Sequence, residues 1–259
     1  CFSNIEEIFV LSGISKGEEQ FYLENNITPV INTPEQLKLW HSYCKKRNKI
    51  AKIVLHFDTG INRSGICVMD AEKIKLYTEK NIKEIAVLII MSHFACGDNP
   101  NHKATKLQLN NFTKRILPLF PKDNKEWSKT LIGFSASEGI YWIDTKFANT
   151  CRPGQALYGW KLHPEFNSKP VLNLVTTIKI NKKNQIIIPI GINHGIPSNY
   201  ANSKSYVMVK NKKIYIKAIG ENEIILKTKK LNLIGRKAIM VGERKNIGQI
   251  DIGDFAKMC

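Results

Sequence analysis

Short apolar runs recur along roughly the first 150 residues, and most are followed by a stretch with helical spacing. Residues 8–11 are such a run, closed by Ser12-Gly13, and read as a strand with its loop. Residues 15–24 read as a helix, with Ser15 as N-cap and Glu18 placed for a capping box. Residues 27–31 are the next strand. Thr33-Pro34 then opens a helix with proline in its first turn. Leu37, Trp40 and Cys44 fall on one face of it and would pack against the sheet. Residues 53–56 are a strand that breaks at Asp58-Thr59-Gly60, with a loop running to Arg63 and Gly65. A helix over about 70–80, a strand over 85–94 and a helix over 102–119 follow, the last with Leu109, Phe112 and Ile116 on one face. A strand over 131–134 ends in Ser135-Ala136-Ser137, and a further one is expected near Thr150. Strand alternating with helix implies a parallel sheet, most simply an α/β barrel, which presents its chemistry at the C-terminal ends of the strands.

After about residue 166 the texture changes. Residues 171–180, 185–190, 206–209, 213–218 and 223–226 read as strands, with turns at 182–184 and 210–212 and no helical pattern between them. The expected organisation is an incomplete (β/α)8 barrel over 1–165 and an all-β domain over 166–259.

A chain of 259 residues suffices for one barrel or for a large and a small domain. The longest apolar run, 85–91, is far shorter than a membrane span, and no signal peptide is visible, so no membrane partner is expected. The chain begins with Cys1 rather than methionine, which reads as a processed or truncated chain. The net charge of +17 raises nucleic acid as a partner. The lysines are scattered, however, and no run of them interleaves with aromatic residues. Composition bias is the preferred explanation, with at most weak, sequence-blind binding. The six cysteines have no CxxC pair and no metal-ligand spacing, so no metal is expected and a reducing cytoplasm fits.

Taken alone, Arg63 reads either as a surface ion-pair residue or as a forked anion binder. His93 reads as a satisfied core histidine and Ser137 as a helix N-cap. Linked motifs alter those readings. Asp58-Thr59-Gly60-Ile61-Asn62-Arg63-Ser64-Gly65 resembles the DTGMxRxG loop of the alanine racemase family. Ser92-His93-Phe94-Ala95, with Asp98, Gln108 and Phe112, resembles that family's THFAxAD segment and following helix. Ala136-Ser137 matches its Asn-Ser pair at the second residue. The run from Arg152 to Gly159 resembles RPGIALYG, and Lys169-Pro170-Val171 resembles the start of the family's β domain. Pro189 to Gly195 is a degraded form of IPIGYADG.

The resemblance implies a pyridoxal-phosphate enzyme that interconverts L- and D-alanine for cell-wall peptidoglycan and works as a homodimer. It implies that Arg63 bonds the cofactor's phenolic oxygen and that Arg152 faces the pyridine nitrogen. An arginine there keeps that nitrogen unprotonated, because two adjacent positive charges repel. Ser137, with the backbone at Gly154 and Gln155, would hold the phosphate. His93 would be auxiliary, in the polar network behind the catalytic tyrosine.

Departures from the pattern are equally specific. No KANAYG-like segment with the cofactor-binding lysine is present, and six strands precede the β domain where a closed barrel has eight. Eighteen residues separate Pro170 from Pro189, and none is the catalytic tyrosine. Ile192 and His194 replace the tyrosine and aspartate of GYADG, and no MD-containing segment is recognisable over 218–223. The run from Ile252 to Cys259 stops just before a segment that carries a phosphate-contacting tyrosine in the family. His56 stands where many family members have a lysine that can be carbamylated. Lysine and tyrosine are the two proton carriers, each worth roughly 10²–10⁴-fold in rate. The expectation is therefore a degenerate racemase-like protein, inactive as this chain. The alternatives are one half of a split enzyme, completed by a separately encoded N-terminal piece, and a non-catalytic basic binding protein.

Overall fold

The computed structural model describes residues 7–125, 127–144, 147–159, 171, 174–201 and 205–241. They fall into two compact units that divide between Pro153 and Gly154. The boundary expected at 165/166, Lys169-Pro170, the run from Ile252 to Cys259, and Cys1 lie outside the described residues.

In the first unit strand and helix alternate. The order is β1 (Ile8–Val10), α1 (Glu19–Glu24), β2 (Ile27–Ile31), α2 (Pro34–Lys45), β3 (Ala51–Asp58), β4 (Ile66–Cys67), α3 (Ala71–Lys80), β5 (Ile85–Met91), α4 (Lys103–Asn111), β6 (Leu131–Ala136) and β7 (Thr150–Arg152). Six strands pair in parallel in the order β1-β2-β3-β5-β6-β7, with the short β4 on β3. This is a parallel half-barrel, with the six strands the apolar runs predict. The two-residue alternation explains why β3 is apolar almost throughout. Ile53, Leu55 and Phe57 pack into the main core with Leu37, Trp40 and Ile74 of the helices. Val54 faces the other way, with Val30 and Met91. Each large side chain so buried contributes about 1.5–3 kcal/mol.

Local signals place the helix ends, with one correction. Thr33 caps α2 by accepting from the Gln36 N–H, and Pro34 follows in the first turn, as predicted. The helix expected from Ser15 starts only at Glu19. Gly17 sits at φ +99°, which breaks a right-handed helix, so the Glu18 carboxylate closes a turn onto the Ser15 N–H instead. The helix expected over 102–119 is present but changes pitch. α4 passes into a π-helical turn at Phe112–Ile116 and then a 3-10 turn. That turn sets Phe112 against Phe134 at 4.7 Å between ring centroids, while Phe94 lies 4.0 Å from Phe134 on the other side.

The second unit is antiparallel throughout. It contains β8 (Leu174–Thr177), β9 (Lys179–Ile180), β10 (Ile186–Ile188), β11 (Tyr206–Val209), β12 (Lys212–Ile219), β13 (Ile224–Leu226) and β14 (Lys237–Val241). The sheet order is β8-β14-β11-β12-β13-β10-β9. β8 and β9 are consecutive in the chain, joined only by buried Ile178, whose N–H and C=O both bond the chain just before β14. One bent strand thus supplies both ends of the sheet, and the result is a nearly closed barrel. β14 is not predicted by the apolar alternation, because its fully buried inward residue is the small Ala238. Among the described residues no helix is long and apolar enough to cross a membrane.

Among the described residues, β1 and β7 are the open edges of the half-barrel, and Ile8 on β1 is 46% exposed. Unpaired parallel edges template association. We expect concentration-dependent self-association in size-exclusion chromatography, reduced by Ile8→Lys. A species that stays monodisperse at every concentration would show the edges to be covered.

Candidate functional site

Because the strands are parallel, their C-terminal ends gather on one rim of the half-barrel. That rim carries Asp58, Ser92-His93, Ser137 and Arg152.

The loop after β3 is built around one carboxylate. Asp58 Oδ1 accepts from the backbone N–H groups of Gly60, Ile61 and Asn62 at 2.9, 2.9 and 3.2 Å, and Oδ2 accepts from that of Arg63 at 3.2 Å. Burial pushes this carboxyl's pKa up, but the four N–H bonds together outweigh burial and hold it below the usual range. The loop needs left-handed backbone at Gly60, Asn62 and Gly65. A Cβ on Gly65 would lie 2.7 Å from the Asp58 nitrogen, so no larger residue fits. Arg63 is thereby held at its backbone while its side chain is exposed, with no ion pair among the described residues.

A second set of bonds ties neighbouring loops to α4. Gln108, fully buried, donates to the His93 carbonyl at 2.7 Å and accepts from the Ala95 N–H at 2.9 Å. Asn111 donates to the Thr59 carbonyl, and the Thr59 and Ser92 hydroxyls meet at 2.7 Å. The ends of β3 and β5 are locked together in this way.

Arg152, at the end of β7, reaches across β6. Its Nη2 donates to the Ser92 carbonyl at 2.6 Å. Its Nη1 is buried and has no hydrogen-bond partner among the described residues. Room for it comes from Gly133, where a Cβ would lie 2.9 Å from Nη1 and 3.0 Å from Thr150 Cγ2. Burial lowers the guanidinium pKa to about 10, so it stays charged at neutral pH.

Two imidazoles share this surrounding. His56 is 5% exposed, and its Nδ1 lies 2.7 Å from Asn32 Oδ1. The Asn32 amide nitrogen donates to the Leu11 and Val30 carbonyls, so its oxygen faces the ring. His56 therefore carries its proton on Nδ1, and Nε2 is left as an acceptor. Burial first, then Arg152 and His93, and last Arg63, lower its pKa to about 4 against a smaller opposing pull from Asp58. Burial, Arg152 and Arg63 likewise lower His93 to about 4. Both rings are neutral at pH 7, so the cationic groups beside them are two arginines, and the neighbouring Asp58 carboxylate is committed to four amides. The rim is suited to an anion.

Ser137 is buried in the loop after β6. Gly154 and Gln155 open the second unit at the start of the 3-10 turn Gln155–Tyr158. Arg63, His93, Ser137 and Arg152 thus lie on the rim of the first unit. Sequence reasoning missed Asn32 and Asn111. Their only signal is a polar residue at a strand end and on a helix face, which is too common to single out.

Pyridoxal phosphate fits what is present, on one structural observation. A charged donor, Arg152 Nη1, is buried without an acceptor, and an unprotonated ring nitrogen is an acceptor that leaves the arginine charged.

The family model described as "Alanine racemase, N-terminal domain" matches residues 4–161. The alanine racemase of Rickettsia bellii is 31% identical over 163 residues, which is 63% of this chain and 37% of that protein. The match thus spans little more than a third of that relative's length. The crystal structure of alanine racemase from Bartonella henselae, which holds covalently bound pyridoxal phosphate, superposes with a TM-score of 0.73 at 24% identity over 91% of this chain and 68% of that one. Alanine racemase from Corynebacterium glutamicum gives 0.74 at 17% identity over 98% and 73%. At these identities the superpositions speak for the fold.

Two outcomes follow from the loop and the rings. His56 is less basic folded than unfolded, so protons bind the unfolded chain first as pH falls. Its contribution is intact above about pH 6.5 and is lost toward pH 4, by about 3 kcal/mol. Urea unfolding across that range should show the loss, and His56→Gln should lose correspondingly less. Asp58→Ala removes four amide bonds at once, so tryptic cleavage after Arg63 should accelerate by at least about tenfold. Unchanged cleavage would mean the loop is held by something else.

Proposed function

The chain belongs to the alanine racemase family, and from that premise we propose that it is a racemase-like protein that binds pyridoxal phosphate without racemising alanine by itself. The observation that carries the reading is the buried Nη1 of Arg152, which has no hydrogen-bond partner among the described residues. Arg152 would donate to the pyridine nitrogen and Arg63 to the phenolic oxygen, with Ser137 directed to the phosphate. When bound, the cofactor supplies an electron sink for the pair left at an amino acid's Cα when its proton is removed. Arg152, charged at neutral pH, would keep the ring nitrogen unprotonated and so limit that sink.

What this chain's own groups do is narrower. Arg63 and Arg152 bind and orient an anionic ring. Gln108 and the Thr59–Ser92 pair keep the rim rigid. His56 accepts at Nε2 without adding charge, where a carbamylated lysine would bring a negative one. Neither imidazole is a cation above about pH 4, so neither competes with the arginines for the ligand. Nothing between Pro170 and Pro189 matches the segment of the catalytic tyrosine, and proton delivery to that face of Cα is the function that lacks a residue. The family's substrate alanine, its homodimer and its cytoplasmic setting belong to the same proposal.

A second reading has one observation in its favour. A cleft of about 1030 Å³ is lined by Phe9 of β1, by much of β5, and by Thr150 of β7, so both open edges border it. Further strand-helix units on a separately encoded polypeptide would complete the barrel there. Racemisation that appears only on adding such a lysine-bearing piece would favour this reading.

The test of the main reading uses the purified chain. Equilibrium dialysis should show reversible uptake of pyridoxal phosphate, weakened about tenfold or more by Arg152→Ala. Borohydride reduction followed by peptide mapping should label surface lysines diffusely. One dominant labelled lysine near Arg63 and Arg152, or measurable alanine racemisation by this chain alone, would sink the proposal.

A further inference from the structure

The second unit carries a feature that the cofactor site does not use. β11 and β12 form a hairpin whose turn residues, Lys210 and Asn211, both have positive φ, as a tight right-twisted turn requires. Its register sets Tyr206 opposite Tyr215, Val207 opposite Ile214 and Met208 opposite Lys213. Val207, Val209 and Ile216 point into the core. By alternation Tyr206, Lys213 and Tyr215 therefore share the outward face, and Lys217 follows, exposed, at a register irregularity between Ile216 and Ala218. The Tyr215 carbonyl accepts from the Lys227 N–H at 2.7 Å, which brings Lys227 beside it.

The Tyr206 and Tyr215 rings lie 6.1 Å apart at 70°, and the Lys213 ammonium sits 4.3 Å over the Tyr206 ring. Tyr215 is 44% exposed, and Lys213, Lys217 and Lys227 are exposed around it. Between residues 206 and 241 there are nine lysines and arginines and two acidic residues. Both acidic residues, Glu221 and Glu223, lie on the turn between β12 and β13. The expectation that no basic run interleaves with aromatic residues holds along the chain but not across the sheet. Pairing β11 with β12 supplies the interleaving.

We propose that this face binds single-stranded nucleic acid without base-sequence preference, one base stacking on Tyr215 while Lys213, Lys217 and Lys227 contact phosphates. Every nucleobase has a π-face, and a ring flanked by ammonium groups on a sheet serves stacking and charge together. A duplex keeps its bases stacked on each other and offers the ring nothing. An anionic lipid surface would reward exposed apolar side chains, but Met208, which pairs with Lys213, is buried, and the exposed Val175 lies two strands further along the sheet.

The experiment is fluorescence anisotropy of a labelled oligothymidylate with the full chain over a range of salt concentrations. Three phosphate contacts predict a slope of log affinity against log salt of about −2. Lys217→Gln with Lys227→Gln should reduce its magnitude by about 1.4. Tyr215→Ala should weaken binding about tenfold or more with the slope unchanged, and Tyr215→Phe should bind as the parent. Circular dichroism identifies a variant that fails to fold, and the lysine pair and Tyr215→Phe keep the test decisive if Tyr215→Ala does. The proposal is overturned by any of four results: no binding, duplex bound as tightly, phosphatidylserine vesicles displacing the oligonucleotide, or a slope unmoved by the lysine pair.

Discussion

Parallel pairing of buried strands is the constraint on which the first unit depends. A parallel ladder satisfies its backbone groups only when each strand runs in the same sense as its neighbour, so every C-terminal end emerges on one rim. Asp58, Ser92, His93, Ser137 and Arg152 lie on that rim for this reason, although they come from the ends of four different strands. The same pairing buries both faces of β3, which is why Ile53, Leu55 and Phe57 pack outward while Val54 packs inward.

On that rim, rigidity comes from side chains bonded to main chain rather than from salt bridges. Asp58 spends its charge on four N–H groups, and Gln108 bridges a carbonyl and an amide of the loop after β5. The consequence is electrostatic. A carboxylate committed to amides does not pair with Arg63 or Arg152, and burial among those arginines keeps His56 and His93 neutral. Two arginine charges in a partly dry site favour an anionic ring or phosphate. Arg152 Nη1, without a hydrogen-bond partner among the described residues, adds direction to that preference, since an unsatisfied buried donor costs about 1–3 kcal/mol until an acceptor arrives.

In the second unit a single bent strand supplies both ends of the sheet, so closure rests on Ile178 and the bonds at its two backbone groups. Closure also separates the two faces of every strand. Inward positions include Ile188, Val207, Val209, Ile216 and Leu226, and on β11 and β12 the outward positions include Tyr206, Lys213 and Tyr215. On the β11–β12 hairpin this sets lysine and tyrosine side by side on the outward face.

Strand runs, loop breaks and the linked motifs around Arg63, Ser137 and Arg152 were determined by the sequence itself, because alternation, glycine and capping residues act within a few positions of one another. The start of α1 was legible in principle, since Gly17 lies between the predicted cap and the observed first turn. The π-helical turn at Phe112 was not, because it answers to the packing of Phe134 on β6 and Phe94 in the loop after β5. The bond from Asn32 that sets the His56 tautomer, the reach of Arg152 over Gly133 to the Ser92 carbonyl, and the meeting of Tyr206 with Tyr215 all depend on which strand lies beside which and in what register. Periodicity carries no information about that pairing. It is settled when many buried contacts across the whole sheet are satisfied together, and only the tertiary structure decided it.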